Sequence, residues 1–411
     1  MKESAAPSQA VWIMLLALTA GFILSQAWRT VAAIMAVPLQ AEFGLSAQQL
    51  GLFAGTFHFA FGLMQLVMGI SIDLQGVRRT VLLAFPVAIA GSALAAISGS
   101  YHALLFAQVL IGVGCAPAFL VCTVFIARHF PAARFAAISG LTLGLGGIGM
   151  LLTGTPLAWL ISTTSWRVGF MVLGGMAAAA WLLIFWLVHE PAGTPGTDGP
   201  RSSESIREAL AKFGALLAMP HTLGIVLLAC VGYASFISLR GLWLGPLLAQ
   251  RDGFSLVQSG HVALVMSVTS LFGPPLFGRL DAGPKHRRRW IVGFTLMAAT
   301  LFAAFAFIHS TLVDVVGPVV IGLLSGYLVL QYADVRNAYP AAMTGRAMAV
   351  FTMAMFLGVA AMQWFTGVVA SSAAAWGVDP FTAVFASMAV LLVCGAAAFV
   401  LLPGPKTIKP A

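Results

Sequence analysis

Charge is what this sequence has least of. Only 21 basic and 12 acidic side chains occur in 411 residues, 8% of the chain, against roughly a quarter in a soluble domain. That is too little polar surface to cover a globule of this size in water. A soluble enzyme, a nucleic-acid-binding protein and a disordered scaffold are excluded on that ground. The shortage is deepest for acid, because no Asp or Glu falls in the middle of an apolar run. Cysteine is nearly as scarce. The four present, Cys115, Cys122, Cys230 and Cys394, all lie within apolar runs, where a thiol packs as a small apolar group, so no disulfide framework is expected. Nothing resembles a nucleotide-binding loop, a zincin motif or a Ser-His-Asp set. An enzyme has no support, and no cofactor is expected.

What the chain has instead is apolar length. It is 60% hydrophobic, with 43 Gly and 20 Pro, amounts that suit helices in lipid. A bilayer-crossing helix needs about 20 mostly apolar residues. Twelve such runs occur, at 11–38, 48–70, 80–99, 103–127, 135–160, 167–188, 220–247, 254–278, 290–309, 312–333, 346–371 and 379–402. They are continuously apolar rather than alternating, which excludes a membrane β-barrel. The expected fold is all-α, a polytopic membrane protein of twelve transmembrane helices. Lys2 followed by an apolar stretch and Ser25-Gln26-Ala27 mimics a cleavable signal peptide. Apolar character resumes at Val31, so an uncleaved first helix is expected.

Basic residues set the orientation. With the N-terminus cytoplasmic, seventeen of the 21 fall in inner segments, and only Arg167 and Arg251 in outer loops. This is a positive-inside bias; the net charge of +9 states topology, and nucleic acid is not needed to explain it. Both termini are expected on the cytoplasmic side of a bacterial-type inner membrane. Between the sixth and seventh runs the composition changes to Pro191-Ala192-Gly193-Thr194-Pro195-Gly196, a linker. Behind it, Ser205-Ile206-Arg207-Glu208 reads as a capping box ahead of a short amphipathic helix carrying Ile206, Leu210, Phe213 and Leu217. The chain therefore divides into residues 1–190, a linker at 191–219 and residues 220–411, six runs on each side.

The halves echo each other. Gly69, Asp73, Gly76, Arg78 and Arg79 lie between runs two and three; Gly278, Asp281, Gly283 and a basic cluster lie between runs eight and nine. An Asp near a helix terminus can pair with Arg across an inner gate. The first of these loops resembles the best-known motif of the major facilitator superfamily, Gly-x-x-x-Asp followed by Gly-x-Arg-Arg. Phe130-Pro131-Ala132-Ala133-Arg134 and Tyr339-Pro340-Ala341-Ala342 resemble that superfamily's loops after spans four and ten. The resemblance implies two pseudo-symmetric six-helix bundles around a cavity that opens alternately to each side, lined by helices 1, 4, 7 and 10.

Two charges are left over, Arg29 in the first run and Arg240 in the seventh. Each costs about 2.5–3.5 kcal/mol near a helix centre. They hold nearly equivalent positions in the two halves, and no mid-span acid neutralises them. Two unpaired guanidinium forks suit phosphate or carboxylate; the alternative is that both snorkel to the outer interface. Arg240-Gly241-Leu242-Trp243-Leu244-Gly245-Pro246 and the segment from Arg29 to Pro38 resemble the arginine segments of organophosphate:phosphate antiporters, whose arginine pair binds phosphate. Candidate supporting contacts are Tyr233, His58, Gln108, Tyr327 and Gln331; helix–helix hydrogen bonds are the alternative role for such groups. Seventeen Met and eight His raise copper uptake, but His261 and Met266 are five apart and off a common face; no metal site is expected. The reading is a secondary transporter for a small organic anion, expected to be monomeric, with a proton or phosphate as counter-ion. The alternatives are proton-linked movement of a neutral or cationic compound, and a non-transporting membrane sensor.

Overall fold

The computed structural model describes residues 9–131, 134–189, 214, 216–281 and 283–403. The linker from Glu190 to Phe213, with the amphipathic stretch expected after Ser205, lies outside the described residues, as does the Asp73 side chain. Among the described residues the chain is helical throughout, and twelve helices are long and apolar enough to cross a membrane. They are α1 (Gln9–Phe43), α2 (Ala47–Ile72), α3 (Leu74–Ile97), α4 (Tyr101–His129), α5 (Ala137–Thr163) and α6 (Trp166–Leu187). The second half comprises α7 (Pro220–Gln250), α8 (Leu256–Arg279), α9 (His286–Phe307), α10 (Thr311–Ala338), α11 (Met343–Ala375) and α12 (Pro380–Leu401). Each half begins and ends on the side from which the linker departs, here called the linker side; the opposite face is the far side.

Local sequence explains the turns, and it repeats. Gly44-Leu45-Ser46 and Gly253-Phe254-Ser255 precede α2 and α8; each Gly has positive φ, +63° and +70°, a conformation that costs glycine little. Each Ser then caps its helix in a capping box, with Gln49 and Gln258 at the third position, satisfying donors that a helix start leaves unpaired. On the linker side Gly76 (φ +83°) and Gly283 (φ +77°) turn the chain between α2 and α3 and between α8 and α9. The duplicated loop motif is thus a duplicated backbone geometry.

Far-side ion pairs tie the first helix of each half to its last, with reversed polarity. Arg167 at the start of α6 pairs with Glu42 at the end of α1 at 2.5 Å, and Trp166 Nε1 donates to the same carboxylate at 2.6 Å. In the second half the base sits on the first helix: Arg251, just after α7, pairs with Asp379, just before α12, at 2.7 Å. Asp314 of α10 lies 3.6 Å from Arg251 on its other side.

The halves close on each other at the far side. An added Cβ on Gly51 or Gly245 would run into the carbonyl of Gln363 or Ala33, and on Gly55 it would meet the Ala360 carbonyl at 2.9 Å. These glycines let backbones of opposite halves touch. The Gln48 N–H donates to Ser371 Oγ at 3.0 Å and Gln250 Nε2 to Gln40 Oε1 at 3.2 Å, both across the halves. These contacts hold the two halves together at the far side.

Asp281 does not reach across the gate in this state. Arg287 of its own loop region donates to it through Nε at 3.0 Å and Nη2 at 2.6 Å, and the Gly283 N–H adds a third bond at 3.1 Å. Arg287 also donates to the Ala333 carbonyl of α10 at 3.3 Å, so the motif braces its own bundle. The hydrogen bonds from Arg287, opposed by partial burial, hold the Asp281 carboxyl below its ordinary range. A depressed carboxylate pKa contributes stability that is full above the unfolded-state value near 4 and is lost as pH falls through the folded-state value. Asp281→Asn is expected to lower stability at pH 7 by about 1–2 kcal/mol. The difference from wild type should shrink as thermal unfolding in detergent is followed down to pH 3; a pH-independent difference contradicts the assignment.

Candidate functional site

Spans α1 and α7 cross at the centre, where an added Cβ on Gly241 would stand 3.0 Å from the Arg29 carbonyl. From this crossing the two arginines diverge. Arg29 turns toward α2 and α11, Arg240 toward α5 and α8. Both are buried, Arg29 at 7% exposure and Arg240 at 0%, so neither lies at an outer interface.

The Arg29 Cζ stands 4.6 Å from the Phe61 ring centroid and 4.7 Å from that of Phe356, and these centroids are 4.5 Å apart. Three nearly equal separations make a triangle, so the cation rests over the cleft between two adjacent rings instead of between opposed faces. Phe61 belongs to α2 and Phe356 to α11, one from each half. Ring quadrupoles replace part of the lost hydration of such a cation. Arg29 makes no hydrogen bond or ion pair among the described residues, and its Nε is buried without a partner.

His58 and Tyr233 join this group through the same phenyl ring. The His58 imidazole lies nearly parallel to Phe356 at 6.4 Å, and Tyr233 meets it edge-on at 5.6 Å. His58 Nδ1 is 3.2 Å from the Ala54 carbonyl, while Nε2 is buried with no partner. Arg29, His58 and Tyr233 therefore form one cluster, drawn from α1, α2 and α7.

The other sequence candidates sit elsewhere. Tyr327 accepts a hydrogen bond from Thr295 of α9 at 3.1 Å. Gln331 lies against Gly232 and in a small void with Ile225, Ile291 and Phe399. Both face the interior of the second bundle. Gln108 is buried in α4 with Oε1 unpartnered. Gln65 donates to the Ala116 carbonyl at 3.1 Å, joining α2 to α4. Among the loop-motif residues, Arg78 donates to the Phe185 carbonyl at 2.9 Å and Arg79 is exposed.

Arg240 is bonded on two edges. Its Nε donates to Ser267 Oγ of α8 at 2.9 Å and its Nη2 to the Met150 carbonyl of α5 at 2.9 Å. Sequence reasoning missed these partners and the rings beneath Arg29. A backbone carbonyl leaves no trace in composition, and Phe61 and Phe356 are two among 29 phenylalanines. A far-side cavity of about 300 Å³, lined by Gln40, Leu50, Trp243, Gln250, Ser371 and Phe381 among others, carries no charged side chain and so offers an anion no compensating charge.

The Major Facilitator Superfamily model matches residues 17–363. The chain belongs to the major facilitator superfamily. Its fold agrees: a solved D-xylose–proton symporter superposes with a TM-score of 0.77, covering 98% of this chain and 100% of that one, at 15% identity. Among curated relatives, this facilitator is 23% identical to the probable sulfoacetate transporter of Cupriavidus necator over 60% of its own length and 59% of that protein's. It thus spans about three fifths of that relative. It is 22% identical to the D-galactonate transporter of Escherichia coli over 90% of both chains. Proteins named as transporters of organic acids are thus among the relatives of this superfamily member.

One cation shared by two rings makes them energetically coupled. In this facilitator Phe61→Leu and Phe356→Leu should each cost about 1–1.5 kcal/mol. Together they should depart from additivity by about 0.5–1 kcal/mol, read as unfolding midpoints in detergent. Additive losses would show that the cation is not held jointly.

Proposed function

We propose that this facilitator moves a small organic anion, carboxylate- or phosphate-bearing, across a bacterial-type inner membrane by alternating access. The observation that carries the reading is Arg29: a buried guanidinium, resting on phenyl rings, with no carboxylate and no hydrogen bond among the described residues. Membrane charges of this kind are expensive and are retained where something is to be bound. Arg29 receives the charged head of the anion, and Tyr233 and His58 stand beside it. Arg240 is the second positive charge, on the other flank of the α1–α7 crossing. A cationic solute would meet two uncompensated positive charges here, which disfavours the cation reading.

The bias of basic residues toward the linker side supports a cytoplasmic linker side in this reading. The relatives' names, sulfoacetate and D-galactonate, are both of small organic acids, the first with a sulfonate and a carboxylate, the second with one carboxylate.

The test is a thermal-shift screen of purified protein against sulfoacetate, galactonate, a hexuronate and inorganic phosphate, with choline and copper as contrasts. At a hundredfold excess over Kd a bound anion adds about 2.7 kcal/mol, a clear rise in midpoint. Arg29→Lys should stay folded and lose that rise, because an ammonium does not replace the fork. A screen in which only cations or metals stabilise the protein overturns the proposal.

A further inference from the structure

Two helix irregularities, one from each half, face each other where the bundles touch. Helix α7 widens into a π-turn over Leu239–Trp243, with the Leu244 N–H reaching back to the Leu239 carbonyl. Such insertions are rare and concentrate at functional sites. Opposite it, α5 is interrupted at Gly147 and again at Thr153 and Gly154. The Gly154 N–H bonds the Leu151 carbonyl at 3.0 Å instead of the Met150 carbonyl four residues back. The Met150 carbonyl, released from the helical ladder, is free to accept from side chains.

Arg240 takes it. The π-turn carries Arg240, whose Nη2 donates to Met150 O at 2.9 Å and stands 3.3 Å from Thr153 Oγ1. Thr153 Oγ1 lies 2.6 Å from Thr30 Oγ1 of α1, so the contact reaches a third helix. Nε donates to Ser267 Oγ, which itself lies 3.5 Å from Met150 O. No ion pair to Arg240 occurs among the described residues, and Nη1 is buried with no partner. A charge of the second half is thus held by dipoles of the first half.

We propose that Arg240 is the bolt that keeps the far side shut, and that the transported anion draws it. Opening the far side parts α5 from α7, and this breaks the bonds to Met150 and Thr153. That leaves the guanidinium with Ser267 Oγ alone of these acceptors, and donors without acceptors inside a membrane are costly. The step therefore needs a substitute acceptor, and an anion in the cavity supplies oxygens. Nη1 is the donor that can take the first of them while the Met150 bond still stands. The loaded carrier then reorients more readily than the empty one, so exchange of anions outpaces net flow. The bolt stands on geometry alone; its release by anion rests on the function proposed above.

The test reads far-side opening directly. Ala33, buried on α1 where its carbonyl meets Gly245 of α7, is replaced by Cys and challenged with a membrane-impermeant maleimide from the far side in sealed vesicles. The protein with only its native cysteines serves as blank. Ala33→Cys alone should label slowly. Adding Arg240→Met should raise the rate about tenfold or more, as expected for loss of a charge-assisted contact. Thr153→Val, which leaves Arg240 in place, should give a smaller rise. Unchanged labelling in both folded variants overturns the bolt; if Arg240→Met does not fold, Thr153→Val with Ser267→Ala decides alone. Sulfoacetate, galactonate or inorganic phosphate should then speed labelling when Arg240 is present and not in Arg240→Met. An equal rise in both, or no rise with an anion that shifts the melting midpoint, overturns the release. If no anion of the thermal-shift screen shifts the midpoint, the anion reading and the release fall together, and the labelling of the ligand-free variants still decides the bolt.

Discussion

A guanidinium inside a membrane protein with no carboxylate to neutralise it must be held by something weaker than an ion pair, and Arg29 and Arg240 are two such groups among the described residues. Insertion costs of about 2.5–3.5 kcal/mol each are large beside the few kcal/mol that separate conformations of a carrier. The protein solves the problem differently for each. Arg29 lies on the rings of Phe61 and Phe356, which stabilise positive charge while leaving the edge donors uncommitted. Arg240 is tied to a serine hydroxyl and a freed backbone carbonyl, which commits its donors to the opposite bundle. One arrangement leaves a cation with unengaged donors, the other a cation whose donors are engaged across the halves.

Both solutions depend on glycine. The halves approach closely enough for Phe356 of one to share a cation with Phe61 of the other because Gly51, Gly55 and Gly62 keep the face of α2 bare toward α11. On the other flank, Gly154 packs against Leu264 and the Gly260 carbonyl, and Gly260 faces Ala158 and Thr155. Where backbones meet without side chains between them, a small rotation of one bundle changes many contacts together. That geometry favours two discrete arrangements over a continuum.

Much of the fold was legible in the chain. Twelve apolar runs became twelve helices, and the Gly-Asp-Gly-basic loops proved to share a positive-φ glycine, Gly76 and Gly283. A second repeat, Gly-x-Ser-x-x-Gln at Gly44 and Gly253, is equally readable once the halves are aligned. The site was legible only in part. Arg29 and Arg240 stood out because charge in an apolar run is rare, but the handedness of the α1–α7 crossing sends them to opposite flanks, and sequence spacing does not encode that. Tyr327 and Gln331, one turn apart on α10, share a face as expected; that face looks into the second bundle. The break in α5 was foreshadowed by Gly154 and Pro156, yet nothing in the sequence says which carbonyl it frees.

The far-side ion pairs have a consequence for how the two bundles assemble. Glu42 and Arg251 occupy matching positions in the two halves, as do Arg167 and Asp379, and the signs are exchanged between them. Each pair joins the first helix of a half to the last helix of the same half. Were α1 to settle beside α12 instead, Glu42 would face Asp379, and α7 beside α6 would set Arg251 against Arg167. Both mistakes place like charges together, which costs energy and disfavours the wrong partner. With equal signs in the two halves, the exchanged arrangement would have been as attractive as the correct one. Reversed polarity thus lets two nearly identical bundles, made on one chain in one membrane, recognise their own helices.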